Sequence, residues 1–302
     1  MKANYITANT LDATLNRLLL STYQHQNSNP RRCKLDFIEK LVNTTRKNKS
    51  LLCIGLDPNP ELMPEKVSIF EFNKAIIETT SDLVCAYKPN LAFYEALGNE
   101  GLDALKDTIK YIPEDIPVIG DAKRGDIGNT AKAYARAIFD NFGFDATTVS
   151  PYLGFDSIKP FIECRDKGIF ILCRTSNAGA VDFQSLRSEG ENSYHPLFQI
   201  VAMKANQWNT HGNIGLVVGA TYPEELKLIR GGHPDMPLLI PGVGAQGGDL
   251  ASSVRYGVDS RGENAIINSS RQIIYASREK DFAQAARHAA SSLRKQINSH
   301  LP

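Results

Sequence analysis

Ile119-Gly-Asp-Ala-Lys-Arg-Gly-Asp-Ile-Gly-Asn-Thr130 begins as the end of an apolar run and finishes in charges: Asp121, Lys123 and then Asp126. In an extended strand, residues two apart share a face, so Asp121 and Lys123 project together, with only Gly120 and Ala122 beside them. The glycines at 125 and 128 permit a sharp turn that carries Asp126 back toward that pair. An isolated Asp-x-Lys at a strand end is ordinarily a surface ion pair of little consequence. The rest of the chain decides whether this one is.

Outward from residue 119 the chain repeats one pattern. Continuous apolar runs of strand length begin near Leu51 (LLCIGL), Leu83 (LVCAYK), Ile116 (IPVIGD), Asp145 (DATTVS), Ile169 (IFILCR), Ile214 (IGLVVG), Pro237 (PLLIPG) and Ala265 (AIIN). Helical patterns lie between them, for example Ala131, Tyr134, Ala135 and Ile138 on one face, and Leu35, Ile38, Leu41 and Val42 precede the first run. Runs that are continuous rather than alternating imply strands covered on both faces, hence a parallel sheet with helices packed on it. Eight such units predict a closed (β/α)₈ TIM barrel, an α/β single domain over residues 35–302. Successive runs start about 23 to 33 residues apart, except for about 45 between the fifth and sixth, where an insertion with a helical pattern through Leu197, Ile200, Val201 and Met203 is expected to contact substrate or act as a lid.

Residues 1–34 stand apart. They are rich in Asn, Thr and Ser, carry Asp12 as their one acidic residue and end in Arg31-Arg32-Cys33-Lys34. With a single arginine in the first 30 positions and no secretory apolar region, they read as a disordered or partly ordered N-terminal extension, or as a start placed upstream of the true one, rather than a targeting peptide.

Composition narrows the function classes. The 302 residues are 42% hydrophobic and 22% charged, with a formal net charge of +1. That balance argues against a dedicated nucleic-acid or membrane-surface protein and leaves a small molecule as the expected partner. Five cysteines without a C-x-x-C pair read as reduced residues of a cytoplasmic protein. No apolar run reaches the ~18–20 residues that span a bilayer.

Barrel active sites collect at the C-terminal ends of the strands, and polar residues do collect there. The first five runs end in Asp57-Pro-Asn59, Lys88-Pro-Asn90, Asp121-Ala-Lys123, Ser150-Pro151 and Arg174-Thr-Ser-Asn177. A lone polar residue after a strand is usually a turn former or helix cap, but five in succession exceed that explanation. The seventh run leads into Pro241-Gly-Val-Gly-Ala-Gln-Gly-Gly248, whose glycines let backbone N–H groups approach an anion. The eighth ends in Asn268-Ser-Ser-Arg271, offering a guanidinium to the same anion. The six histidines are scattered without metal-ligand spacing, and neither a nucleophile elbow nor a P-loop is present. Lys88 and Lys123 are candidate Schiff-base lysines, although flanking carboxylates would hold Lys123 charged.

These residues together resemble the orotidine 5'-phosphate decarboxylase family, in its longer bacterial-type branch, over about residues 35–295. The most specific segment is D-x-K-x-x-D-I-x-x-T, present as Asp121, Lys123, Asp126, Ile127 and Thr130. It is supported by GLDPNP (55–60), YKPNLAFYEALG (87–98), SPYLG (150–154), TSNAGA (175–180) and PGVGAQGGD (241–249). One departure is Ser270, where many relatives have Gly. The resemblance implies a charged tetrad of Lys88, Asp121, Lys123 and Asp126, with Asp126 supplied by the other subunit of a homodimer. It further implies ribose contacts from Asp57 and from the partner's Thr130, a pyrimidine contact from Ser176, and a phosphate grip by Gln246 and Arg271. The implied reaction is loss of CO₂ from orotidine 5'-phosphate to give uridine 5'-phosphate, the last step of de novo pyrimidine nucleotide synthesis, with no metal and no organic cofactor. Two alternatives remain open: a Mg²⁺-dependent sugar-phosphate aldolase or decarboxylase on the same barrel, and a non-catalytic phosphate-binding barrel.

Overall fold

Each of the eight apolar runs forms a strand in the computed structural model, which describes residues 35–189, 194–243 and 248–302. They are β1 (Leu52–Leu56), β2 (Ala86–Pro89), β3 (Ile119–Arg124), β4 (Ala146–Val149), β5 (Gly168–Arg174), β6 (Ile214–Val218), β7 (Leu238–Pro241) and β8 (Ala265–Ser269). All pair in parallel, in the order β2-β1-β8-β7-β6-β5-β4-β3, and every residue of β1, β2, β4, β6 and β8 is buried. Burial on both faces is what unbroken apolar runs require. The ends of this sheet, β2 and β3, meet through the bridges Tyr87↔Val118 and Asn90↔Asp121, so the barrel closes at a sparsely bonded seam. Residues 1–34 lie outside the described residues.

Helices cover the outside of this wall. Asp36 and Ser68 each open one with a capping box, satisfying orphan N–H groups of the first turn. The helix Phe37–Asn48 forms as expected, but on a different face: Phe37, Leu41 and Thr44 are buried while Leu35 is exposed. The reason lies at the barrel floor. One residue from each strand, among them Cys53, Ile119, Ala146, Phe170 and Leu239, builds an interior cluster that Phe37 and Leu41 join. The Phe37 and Phe170 rings meet edge-on, with centroids 5.7 Å apart. Burying such a ring is worth about 1.5–3 kcal/mol. Beside it, Lys40 Nζ bonds Asp145 Oδ2 at 2.7 Å, and the same carboxylate oxygen accepts the Val118 N–H at 3.0 Å. The N-terminal end of the barrel is thereby closed, and the opposite end is left for a ligand.

The insertion after β5 contains a short helix (Val181–Gln184), an antiparallel two-stranded ribbon (Arg187–Glu189 with Tyr194–Pro196) and the expected helix, Leu197–Trp208. The ribbon was not legible as a periodic signal, because each arm is three residues long. No helix among the described residues is long and apolar enough to cross a membrane.

Candidate active site

A cavity of about 820 Å³ opens at the C-terminal ends of the strands. Asp57, Lys88, Asp121, Lys123, Ser176 and Arg271 all line it, although they are spread over more than 200 positions of sequence. Alternation along each strand accounts for the inward set. Ile119 and Ala146 face the interior cluster, and two residues further on Asp121 and Thr148 face the cavity.

Asp121 is the hub. Its Oδ2 accepts from Lys88 Nζ at 3.0 Å, and its Oδ1 accepts from Lys123 Nζ at 2.6 Å and from Thr148 Oγ1 at 2.9 Å. The Lys88 and Asp121 side chains are 5% and 12% exposed, whereas that of Lys123 is 48% exposed and free to meet a ligand. Burial opposes ionisation of Asp121, but Lys88 and Lys123 outweigh it and hold the carboxyl well below the usual carboxylate range. For Lys88 the same contest runs the other way. Burial disfavours its charge, yet Asp121 and Asp57 hold the ammonium above its ordinary pKa.

Two further features shape this corner. Lys123 has a left-handed backbone, φ 47°, unusual for a residue with a side chain, at the point where the ladder between β3 and β4 is interrupted. Asp57 is held on two sides: its carboxylate accepts the Asn90 N–H at 3.2 Å, and its carbonyl accepts the Tyr275 hydroxyl at 2.9 Å.

The ends of β7 and β8 form a further wall of the cavity. Asn268 Oδ1 and Ser270 Oγ are buried there without a hydrogen-bond partner among the described residues, and both residues line the cavity. Such orphaned groups are costly unless a ligand or water satisfies them. Ser270 has a negative φ of −124°, so its side chain introduces no left-handed strain. Gln246 lies outside the described residues; Gly242, Val243 and Gly248, which flank it, place the loop mouth at the cavity.

Not every residue singled out in the sequence comes to this place. Asp126 and Thr130 do not line the cavity, and the Asp126 carboxylate accepts its neighbour's N–H, that of Ile127, at 2.8 Å. The turn after β3 therefore does not return Asp126 to the Asp121–Lys123 pair within one chain. Arg174 also points elsewhere. It is buried, ion-paired with Glu225 and stacked 3.8 Å from the centre of the Tyr222 ring. A register shift between Leu172 and Arg174 interrupts the alternation that would have turned it inward. At β4, Thr148 lines the cavity while Ser150 serves the backbone, its N–H bonding the Arg124 carbonyl at 2.8 Å. Strand alternation from Ala146 was the available signal for Thr148. For Tyr275 there was none. Gln184 was missed as well: its amide bonds Thr175 at both the N–H and the hydroxyl, each at 2.8 Å, and so ties the insertion to the end of β5.

Among the described residues, no group of three or more His, Cys, Asp or Glu side chains is arranged to hold a metal ion. Fold and site together define a (β/α)₈ enzyme-type barrel with a lysine–carboxylate–lysine core in a cavity that Arg271 also lines. A family model described as the orotidine 5'-phosphate decarboxylase / HUMPS family matches residues 50–287. Orotidine 5'-phosphate decarboxylase of Dehalococcoides mccartyi strain CBDB1 is 56% identical over 266 residues, covering 88% of this chain and 98% of that protein. The enzyme of the same name from Herpetosiphon aurantiacus is 53% identical, over 85% of this chain and 96% of its own. The solved structure of Leishmania donovani OMP decarboxylase superposes with a TM-score of 0.77 at 39% identity, covering 88% of this chain and 99% of that one. The chain belongs to the orotidine 5'-phosphate decarboxylase / HUMPS family.

Proposed function

We propose that this chain converts orotidine 5'-phosphate to uridine 5'-phosphate and CO₂. The observation that carries the reading is Asp121 clamped between two ammonium groups, one buried and one reaching into the cavity. Breaking the bond from C6 to the carboxylate leaves both electrons on C6, in an sp² orbital orthogonal to the ring π system. The ring cannot delocalise that pair, so a nearby cation must stabilise it. Lys123 meets the need in two steps. Its ammonium stabilises the developing carbanion through preorganised electrostatics and then gives a proton to C6, regaining one from solvent. Lys88 and Asp121 keep that ammonium in place. The barrier must fall by roughly 20 kcal/mol, more than one contact supplies. Binding energy from Arg271 and Gln246 at the phosphate, Asp57 at the ribose and Ser176 at the pyrimidine is therefore spent on closing the site around the reacting carbon. The chemistry as proposed uses no metal and no organic cofactor.

The proposal includes a homodimer. Asp126 and Thr130 follow Lys123 closely in the chain, in the turn after β3 and the helix Gly128–Arg136, without lining its cavity, which supports their serving a second copy. Large apolar residues are exposed on the loops that follow the strands: Ile127, Tyr152, Leu153 and Phe183 are 55%, 80%, 47% and 61% exposed.

The test is loss of orotidine 5'-phosphate absorbance by purified protein, with and without a chelator. Turnover that a chelator does not affect is expected. Well-folded protein without turnover would refute the reading, and chelator-sensitive turnover of a sugar phosphate would replace it with the Mg²⁺-dependent alternative.

A further inference from the structure

The Thr148 hydroxyl stands where the two halves of the charged core meet. It is 1% exposed, accepts the Lys123 backbone N–H at 2.9 Å and donates to Asp121 Oδ1 at 2.9 Å. The direction of both bonds is forced. A backbone N–H can only donate, so the hydroxyl must accept from Lys123, and its single proton is left for Asp121, whose ionised carboxylate can only accept. No alternative arrangement of that proton competes.

The Lys123 end of this chain of bonds is where the backbone is least comfortable. The pairing of β3 with β4 breaks between Gly120 and Arg124, and within the break Lys123 adopts its left-handed φ of 47°. A residue with a side chain holds such a conformation only when its surroundings over-determine it. The bond to Thr148 is the side-chain contact that grips the Lys123 main chain, whereas the Lys123 ammonium is bound to Asp121. One hydroxyl therefore ties the root of the Lys123 side chain to the same carboxylate oxygen that its tip reaches.

We infer that Thr148 is a positioning residue, its hydroxyl fixing where the Lys123 ammonium stands relative to Asp121 and hence to the reacting carbon of the substrate. This inference rests on the decarboxylase reading. It adds a fourth member to the Lys88–Asp121–Lys123 cluster, one that acts through two others. Misplacing a proton donor by an ångström impairs the chemical step far more than it impairs binding.

Steady-state kinetics of Thr148→Val and Thr148→Ser test it. Valine keeps the shape of threonine and loses both hydrogen bonds; serine keeps both and loses a methyl group. The valine variant is expected to lose roughly 10- to 100-fold in kcat with KM within about threefold, and the serine variant to stay within about threefold of wild type. A packing role would give the opposite order. If the valine variant does not fold, Thr148→Ala takes its place with the same expected loss. A valine or alanine variant with wild-type kcat, or a serine variant as impaired as valine, overturns the inference while leaving the decarboxylase reading intact. Wild-type protein that fails to turn over orotidine 5'-phosphate overturns that reading first, and the inference with it.

Discussion

At the scale of single residues, the proposed mechanism assigns Asp121 to holding charge and Lys123 to moving a proton. Lys123→Ala should abolish decarboxylation with the thermal transition retained; near-normal kcat would exclude it as the proton donor. Asp121→Asn acts differently, because it leaves the buried Lys88 ammonium without its ion-pair partner. Removing one partner of such a pair costs about 3–5 kcal/mol, to be read as a lower urea midpoint. The cost is expected to depend on pH with a definite sign. Asp121 is depressed in the folded state, so the unfolded chain binds more protons at acid pH. The stability that Asp121 contributes is thus fully present above the ordinary carboxylate pKa of about 4 and shrinks as pH falls below it. Wild type and Asp121→Asn should differ by a constant amount from about pH 5 to pH 9 and converge in acid; a gap unchanged down to about pH 3 would contradict the assignment.

At the scale of elements, two loop closures hold the site open to a ligand while keeping its walls in register. The first joins β6 to the segment after β5. Gly219 donates its N–H to the Arg174 carbonyl at 2.7 Å, and a Cβ there would lie 2.8 Å from both the Cβ and the backbone nitrogen of Ser176. Ser176 reaches the cavity because glycine leaves it room. The second is the mouth of the loop after β7, closed by the bridge Val243↔Gly248. A Cβ on Gly248 would lie 2.6 Å from Ala220 Cβ and 2.7 Å from the Gly242 carbonyl oxygen, closer than real contacts allow. Gly248→Ala is therefore expected to shift the loop that carries Gln246 and to raise KM for a phosphorylated substrate by about tenfold, with less effect on the folded core. Unchanged KM would show that the loop adjusts without cost.

At the scale of the molecule, one barrel brings together three of the four charged residues that the family resemblance singles out. Lys88, Asp121 and Lys123 meet in the cavity, while Asp126 does not line it. If Asp126 completes a second copy's site, inactive Lys123→Ala and Asp126→Ala chains should recover activity when mixed, since one of the two sites in a mixed dimer carries neither substitution. Recovery of about a quarter of wild-type activity is expected for random exchange of equal amounts. No recovery after verified exchange would place the whole site within one chain.

The eight strands and most of the lining were legible because they rest on local rules. Unbroken apolar runs mark doubly covered strands, and alternation from Ile119 puts Asp121 inward. What the sequence by itself determined is therefore the barrel and the kind of chemistry at its strand ends. Tertiary structure decided which side chains serve it. Arg174 left the site because of a register shift, Thr148 displaced Ser150, Tyr275 came from more than 200 residues away to hold Asp57, and Phe37 rather than Leu35 plugged the floor. Each of these depends on where one strand or helix stops against another. That is a property of packing between distant segments, and no periodicity within a segment encodes it.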